Sequence, residues 1–387
     1  MSTRKIDGWF AAGLIDAGTR ERLIAYEAQH ARPLAIWAVF GIGALAIGLG
    51  LISVVAANWE DVPGQVRLTI HLALIAAMLG AVLLREKALT AASPWAVEAL
   101  LFISAVLGLT FFGHLGQVYQ TNSPLWEPLA IWLALFAPAM LISGRGWPVA
   151  ALLIGGSIYC VWEYTDTMTP YLYGSFRGSG PDNPPYRLTA VVHSLPVFYA
   201  PLAAFMRARS TRPDFWRQLE QLALTYAVAG ASIMAALASV DAFDTGSPRI
   251  LGAQSQMIRA IIALVAGGLV VAARPGISGQ MSGAIIAGSG AVIALSYVVS
   301  GIDILSAGLF MALWGGIAAA ALKANWRGVF QLAVAVIAVR LVILSFELAS
   351  DLLLSGFGLI VSGVLILSIA WGAYRVSRDF APEEEEV

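Results

Sequence analysis

Residues 34–57 read LAIWAVFGIGALAIGLGLISVVAA, a run of 24 residues without a charged side chain. A helix needs about 20 consecutive apolar residues to cross the hydrocarbon core of a bilayer. This run is long enough, and eleven further apolar segments follow it along the chain. Those segments are 68–84, 97–113, 127–143, 147–162, 188–205, 220–240, 257–273, 281–300, 303–322, 328–346 and 352–374. The pattern predicts an all-α, polytopic transmembrane helical bundle of about twelve spans.

The composition argues against a soluble globular domain. Hydrophobic residues make up 59% of the chain and charged residues 12%, whereas soluble domains carry about 25% charged residues. The formal net charge of −1 leaves no basic excess to neutralise phosphates, so nucleic acid is not an expected partner. The single cysteine, Cys160, can form no internal disulfide. The lipid bilayer is therefore the expected partner of the protein surface.

Basic residues predict the orientation of the bundle, because Lys and Arg are retained in cytoplasmic loops. With the N-terminus inside, 17 of the 23 Lys and Arg residues fall in cytoplasmic segments. Only 5, among them Arg259, fall in segments on the opposite side. Arg340 lies within a span and is the only arginine expected deep in the membrane. The even number of spans places both termini in the cytoplasm.

Three segments are set apart from the transmembrane helices of residues 34–374. Residues 1–33 carry apolar side chains at helical spacing, which predicts a cytoplasmic helical hairpin with Asp16 or Thr19 as a helix cap. Residues 163–187 are rich in Pro, Gly and Tyr and are expected to form an irregular periplasmic loop. Residues 375–387 include four consecutive glutamates and are expected to form an acidic cytoplasmic tail.

Polar residues within or beside the apolar segments mark a candidate site, because a charge at the centre of a bilayer costs about 2.5–3.5 kcal/mol on the insertion scale. Under the predicted orientation they fall toward the outer face. They are Asn58, His71, His114, Gln117, Tyr119, His193, Arg340 and Glu347. These residues predict an outward-facing polar cavity that binds a small polar or anionic solute.

The alternative interpretation of these residues is a structural network that holds the helices together. In either case Arg340 is expected to pair with a carboxylate, because a pair offsets much of the cost of its burial. The candidate carboxylates are Glu347, Asp351, Glu60 and Asp61.

Motifs for catalysis or cofactor binding do not stand out. His114 lacks Cys or acidic partners at ligand spacing, so no metal site is expected. No serine lies in a nucleophile-elbow context, and no Gly-rich phosphate loop occurs. Glu98 and Glu127 flank two apolar segments and are expected to be interfacial carboxylates. We therefore expect neither enzymatic activity nor a cofactor.

Several short pieces of sequence carry a resemblance to a known family. They are Gly13-Leu14-Ile15-Asp16, Tyr26-Glu27, Ala57-Asn58-Trp59 and Gly116-Gln117-Val118-Tyr119-Gln120. In this order and spacing, over residues 1–145, the chain resembles the bacterial predicted-membrane-protein family catalogued as domain of unknown function 2157. The resemblance implies a protein of the bacterial inner membrane. It implies no activity, since the family has no established one.

Two functions follow from these features. The first is a transporter-like protein that binds a small polar or anionic solute in the outward-facing cavity. The alternative is a non-enzymatic membrane scaffold or sensor that binds protein partners through the hairpin of residues 1–33 and the loop of residues 163–187. A lipid-modifying enzyme is a third hypothesis, and no paired-carboxylate or nucleophile motif supports it.

Overall fold

The computed structural model describes residues 3–30, 62–93, 95–120, 123–174, 184–239, 252–348 and 356–380. Every regular element within these ranges is a helix. The chain divides into two compact units, residues 1–67 and residues 68–387. The first unit contains the N-terminal hairpin, and the second contains most of the apolar helices.

The N-terminal hairpin consists of α1 (Thr3–Ala11) and α2 (Ala17–His30). The chain turns at Gly13, whose φ of 70° is favourable for a residue without a Cβ. The Asp16 carboxylate then accepts a hydrogen bond from the Thr19 amide at 2.7 Å and caps α2. Hydrogen bonds from Thr19 lower the pKa of Asp16 below its ordinary value. The bond from the Thr19 side chain has the larger effect, and the bond from its amide has the next largest.

Twelve further α-helices follow within the described ranges, and a short 3-10 turn at Leu195–Phe198 separates two of them. They are α3 (Gly64–Ala92), α4 (Ala96–Tyr119), α5 (Trp126–Ser143), α6 (Trp147–Gly174), α7 (Pro184–Ser194), α8 (Tyr199–Arg207), α9 (Pro213–Ser239), α10 (Ala253–Ala273), α11 (Ile277–Val298), α12 (Asp303–Lys323), α13 (Arg327–Leu348) and α14 (Gly356–Phe380). Helix α3 kinks at Arg85, where φ is −126° and ψ is 21°. The predicted span 68–84 therefore ends where its basic flank begins.

Nine helical stretches of the described residues are long and apolar enough to cross a membrane. They coincide with nine of the predicted spans, counting α7, the 3-10 turn and α8 as one stretch. Many large apolar side chains on these helices are exposed, such as Leu84, Val298 and Ile304, as expected of surfaces that face lipid. The predicted all-α polytopic bundle is confirmed.

The three other predicted spans differ in how far the structure describes them. Residues 34–57 lie outside the described residues, and 352–374 are only partly described. Residues 147–162 form the first part of α6, a 28-residue helix that is not among the nine. The total of twelve spans and the orientation remain predictions.

The prediction of an irregular loop at residues 163–187 is wrong at both ends. Helix α6 continues to Gly174, and α7 begins at Pro184. Residues 175–183 lie outside the described residues. Proline at the start of α7 has the fixed φ of a helix, and its missing amide proton is not needed in the first turn. This explains why a Pro-rich segment leads into a helix.

Glu98, which its sequence position suggested as an interfacial carboxylate, is a buried helix cap. Only 4% of the residue is exposed. Its carboxylate accepts hydrogen bonds from the amides of Arg145, Gly146 and Val149 at 2.8–3.0 Å. Glu98 lies in the first turn of α4. Arg145 and Gly146 directly precede α6, and Val149 lies in its first turn. One side chain thus joins two helix N-termini, where negative charge is favourable.

Charged residues at the same ends of neighbouring helices pair with one another. Glu220 is 4% exposed and bridges Arg274 at 2.9 Å and Arg207 at 3.5 Å. Arg212 donates to the carbonyl oxygens of Leu141 and Gly144, the last turn of α5. All these residues belong to segments predicted on one side of the membrane. These contacts thus lie at helix ends that the charge pattern predicts on the same side.

Candidate functional site

One apolar span is broken in its middle. Helix α7 ends at Ser194, a 3-10 turn runs from Leu195 to Phe198, and α8 continues from Tyr199. Pro196 causes the break because it has no amide proton and its ring clashes with the preceding helical turn. The break leaves the carbonyl oxygen of His193 without the proton that residue 196 would donate in a 3-10 turn. Tyr226 of α9 donates its hydroxyl proton to this oxygen at 2.6 Å.

His193 occupies the last turn of α7 and is held on all sides. Its ring stacks on Trp162 of α6 with a centroid separation of 4.2 Å and an interplanar angle of 17°. Nε2 is hydrogen-bonded to the Thr165 hydroxyl, and Nδ1 lies 3.2 Å from Nη2 of Arg259. The side chain is 5% exposed. Sequence reasoning selected this residue, and the structure places it in a packed polar contact at the break.

Arg259 lies in the second turn of α10 and is 9% exposed. Besides His193, its guanidinium contacts Gln256 Oε1 at 3.5 Å and the sulfur of Met234 at 3.9 Å. Its Nε is buried and lacks a hydrogen-bond partner. Among the residues that the structure describes, no carboxylate forms an ion pair with it. A buried cation without a counter-charge carries a desolvation cost of several kcal/mol.

A cavity of about 270 Å³ opens beside Arg259 and His193. We call it the Arg259 cavity. Helices α6, α7, α9, α10 and α11 and the 3-10 turn supply its walls. The lining residues are Ile158, Trp162, His193, Ser194, Val197, Tyr226, Ala227, Ala229, Gly230, Ile233, Met234, Arg259, Ala263, Ser289 and Ile293. Most of these side chains are apolar, so Arg259 supplies the positive charge of an otherwise apolar space.

Arg259 corrects two predictions from the sequence. The charge pattern counts it with an outer segment, but α10 begins at Ala253 and carries it in its second turn. Arg340 is therefore not the only buried arginine of the described residues, since both residues are 9% exposed. A charge inside an apolar run was the available signal. The sequence did not reveal that the charge faces His193.

Two of the predicted site residues meet elsewhere. His71 of α3 and His114 of α4 have ring centroids 6.0 Å apart, and His71 Nε2 lies 3.4 Å from the Thr110 hydroxyl. Gln117 lines a different cavity of about 1030 Å³ between α4, α5 and α6. Tyr119 is 56% exposed.

Arg340 faces a third cavity of about 300 Å³ formed by α9, α12 and α13. Its guanidinium carbon lies 6.0 Å from the centroid of the Phe310 ring. The predicted carboxylates Glu60 and Asp61, and Asp351, lie outside the described residues, as do Asn58 and the side chain of Glu347. The pairing of Arg340 with one of them stays a prediction.

The predicted site residues are thus distributed around separate cavities rather than one. The walls of the Arg259 cavity include His193 but neither Gln117 nor Arg340. Residues that the sequence places at a similar depth in the membrane can lie on helices that are far apart in the bundle. Depth alone does not show which helices are neighbours. Among the described residues, no group of three or more His, Cys, Asp and Glu side chains could hold a metal ion.

Comparison with known proteins finds a family match over part of the chain and no activity. Residues 7–149 match the family model described as a predicted membrane protein, domain of unknown function 2157. This confirms the resemblance carried by the N-terminal motifs. The match ends before the residues that form the Arg259 cavity. No curated protein and no solved structure matches the chain.

Proposed function

We propose that this predicted membrane protein binds a small organic anion in the Arg259 cavity and carries it across the membrane. The observation that supports the proposal is the buried guanidinium of Arg259, which faces a cavity and has no carboxylate partner among the described residues. A carboxylate ligand would supply the missing counter-charge. Its two oxygens fit the planar donor groups of arginine.

The shape of the cavity defines the class of anion. Its volume of about 270 Å³ is near the lower end of the roughly 300–1,000 Å³ typical of small-molecule sites. Most of the wall is apolar, which favours an anion with a compact aliphatic or aromatic body over inorganic phosphate. A monocarboxylate with such a body satisfies both the charge and the wall.

The broken span supports transport rather than static binding. Discontinuous helices at mid-membrane commonly form the solute sites of secondary transporters, because the interrupted backbone leaves polar groups to line a cavity. Here the break at Pro196 lies directly beside His193 and Val197, which both line the Arg259 cavity. A 3-10 connection between two short helices is also a place where backbone angles can change.

Ligand-dependent thermal stabilisation of the purified full-length protein tests this proposal. The panel consists of acetate, benzoate and octanoate, with benzamide as the uncharged analogue of benzoate and phosphate as the anion without an apolar body. We expect benzoate and octanoate to raise the melting temperature more than acetate, and benzamide and phosphate to have little effect. If none of the carboxylates stabilises the protein, the proposal is wrong.

Arg259→Met is the decisive variant, because methionine replaces the aliphatic stem of arginine with an unbranched apolar side chain and removes the charge. Loss of a charge-assisted hydrogen bond of about 1.5–3 kcal/mol predicts a 10- to 100-fold weaker affinity for benzoate. Arg217→Met is the matched control, since the Arg217 side chain is 47% exposed and pairs with Asp214. Equal benzoate affinities of Arg259→Met and the wild type would rule out the assigned site.

The proposal also includes the location and orientation of the protein in the membrane. The family resemblance favours a bacterial inner membrane location, and the charge bias along the chain places both termini in the cytoplasm. We propose no chemical step, because transport requires only binding and release. Labelling of single cysteines at Arg209 and Ile302 by an impermeant maleimide, in a Cys160→Ala background, checks the orientation. Arg209→Cys should react only from the cytoplasmic side, and Ile302→Cys only from the opposite side.

A scaffold or sensor is the second candidate function, and the N-terminal hairpin favours it. Trp9, Phe10 and Leu14 are exposed by 36%, 44% and 72%, which is unusual for three large apolar side chains so close in sequence. They would form the contact with a protein partner. Crosslinking from this hairpin should then capture one reproducible partner in wild-type cells and lose it in Phe10→Asp. Capture that is insensitive to this substitution would contradict the scaffold hypothesis.

A further inference from the structure

The hydrogen bonds around His193 determine where its proton lies. Arginine has only donors, so the contact of Arg259 Nη2 with Nδ1 of His193 requires a lone pair on Nδ1. The neutral ring then carries its proton on Nε2 and donates it to the Thr165 hydroxyl. Thr165 in turn donates to the carbonyl oxygen of Trp162 at 2.9 Å. Each hydrogen bond from Arg259 through His193 and Thr165 to Trp162 then has one donor and one acceptor.

The only position left for a second proton on the ring is Nδ1. A proton there would point at the guanidinium, whose Nη2 is 3.2 Å away. Two donors would then face each other, and two positive charges would lie side by side in a poorly solvated space. The contact between His193 and Arg259 would have to open, and Nη2 would become available to another acceptor.

Among the described residues, the other groups around His193 do not offer a counter-charge. Helix α6 presents Trp162 and Thr165, which do not titrate, and α10 presents Arg259. Helix α9 presents the Tyr226 phenol, which donates to the backbone carbonyl of His193. In the described part of the chain, no carboxylate forms an ion pair with His193. An anion from outside would be the natural partner of a protonated ring.

We infer that the anion and a proton bind together, with the proton on Nδ1 of His193 and the anion between this nitrogen and Arg259. The inference rests on the proposed function of the Arg259 cavity. The proton comes from solvent and returns to it on release, so no covalent bond of the anion changes. A monocarboxylate and a proton then move as a neutral pair, and a proton gradient would drive transport of the anion.

Linkage gives this inference a measurable signature. If each bound anion takes up one proton, the affinity rises about tenfold for each unit of pH decrease, provided that the free site is unprotonated in that range. Benzoate is a suitable probe because its own charge does not change between pH 6 and 8. Calorimetry in buffers of different ionisation enthalpy counts the protons taken up per benzoate bound by the wild-type protein. We expect close to one proton.

His193→Asn separates the proton from the rest of the site. The asparagine oxygen can accept a hydrogen bond from Arg259 near the position of Nδ1, but the amide does not take up a proton at these pH values. We expect this variant to bind benzoate more weakly than the wild type, with no proton uptake and with an affinity independent of pH. His30→Asn, in the N-terminal hairpin, is the matched histidine control and should retain wild-type proton uptake.

The outcomes distinguish this inference from the proposed function. Benzoate binding by the wild type with no proton uptake would overturn the coupling and leave the anion site standing. Proton uptake that persists in a folded His193→Asn variant would also overturn it, because another group would then bind the proton. Failure of the wild type to bind benzoate or octanoate at any pH would overturn both proposals.

Discussion

Gly267→Leu lowers the free energy of unfolding by about 3 kcal/mol or more, whereas Gly268→Leu, one residue further along α10, changes it by less than about 0.5 kcal/mol. A Cβ at Gly267 would lie 2.5 Å from the carbonyl oxygen of Gly283 in α11. That oxygen is backbone, so only a separation of the two helices relieves the clash. A Cβ at Gly268 would meet no atom within 4 Å, which makes Gly268→Leu a matched control.

The close approach of α10 and α11 extends over several turns. A Cβ at Gly283 would lie 2.5 Å from the carbonyl oxygen of Gly267, and one at Gly290 would lie 2.7 Å from the Ala263 methyl carbon. Small residues allow helix backbones to pack closely in a membrane, where the hydrophobic effect does not drive helices together. Ala263 and Ser289 on these helices also line the Arg259 cavity, so this packing positions its walls.

Unfolding of the purified variants by titration with a denaturing detergent measures both free energies. Gly267→Ala should give an intermediate loss of about 1–3 kcal/mol, since it adds a single methyl group to the contact. Gly267→Leu should also weaken benzoate binding if the packing holds Arg259 in place. Equal unfolding free energies for Gly267→Leu and Gly268→Leu would contradict this account of the helix contact.

Glu98→Ala is expected to lower the free energy of unfolding by about 3–6 kcal/mol. The substitution leaves the amides of Arg145, Gly146 and Val149 without their acceptor, and each unsatisfied buried donor costs about 1–3 kcal/mol. Glu98→Gln should cost less, because the amide oxygen can still accept from one or two of the three groups. Thermal and detergent unfolding of the two variants give this order directly.

Glu127→Ala is the control for the Glu98 substitution. Glu127 occupies the corresponding place in the first turn of α5 but is exposed and accepts no hydrogen bond from a neighbouring helix among the described residues. Its removal should cost less than about 1 kcal/mol, the size of an exposed charge–dipole interaction. A loss for Glu98→Ala no larger than that for Glu127→Ala would show that the three amides find other acceptors.

Glu98 illustrates a limit of reasoning from sequence. Its position at the start of an apolar segment is equally consistent with an interfacial carboxylate and with a buried cap. The difference depends on the turn between α5 and α6, which is 47–51 residues away along the chain. Hydropathy is a property of neighbouring residues, whereas a cap between helices depends on which helices pack together.

The candidate site also depends on helix packing that the sequence does not show. His193 could be selected from sequence because a histidine in an apolar segment has to be compensated. Arg259, 66 residues further along the chain, is counted with an outer segment by the charge pattern, although it lies inside the apolar run 257–273. Depth along each span was used to group the polar residues into one cavity, but the helices around the bundle separate them.

The run at residues 34–57, and the apolar segments that follow it, determined that this chain is a helical membrane protein. Each segment must cross lipid as a helix because only a helix satisfies its own backbone hydrogen bonds there. This requirement is local and can be read from composition. The tertiary structure alone decided that Arg259 meets His193, since that contact depends on the break at Pro196 and on the close packing of α10 against α11. Contacts between helices arise from the shapes of whole surfaces, and those shapes are not present in any single segment.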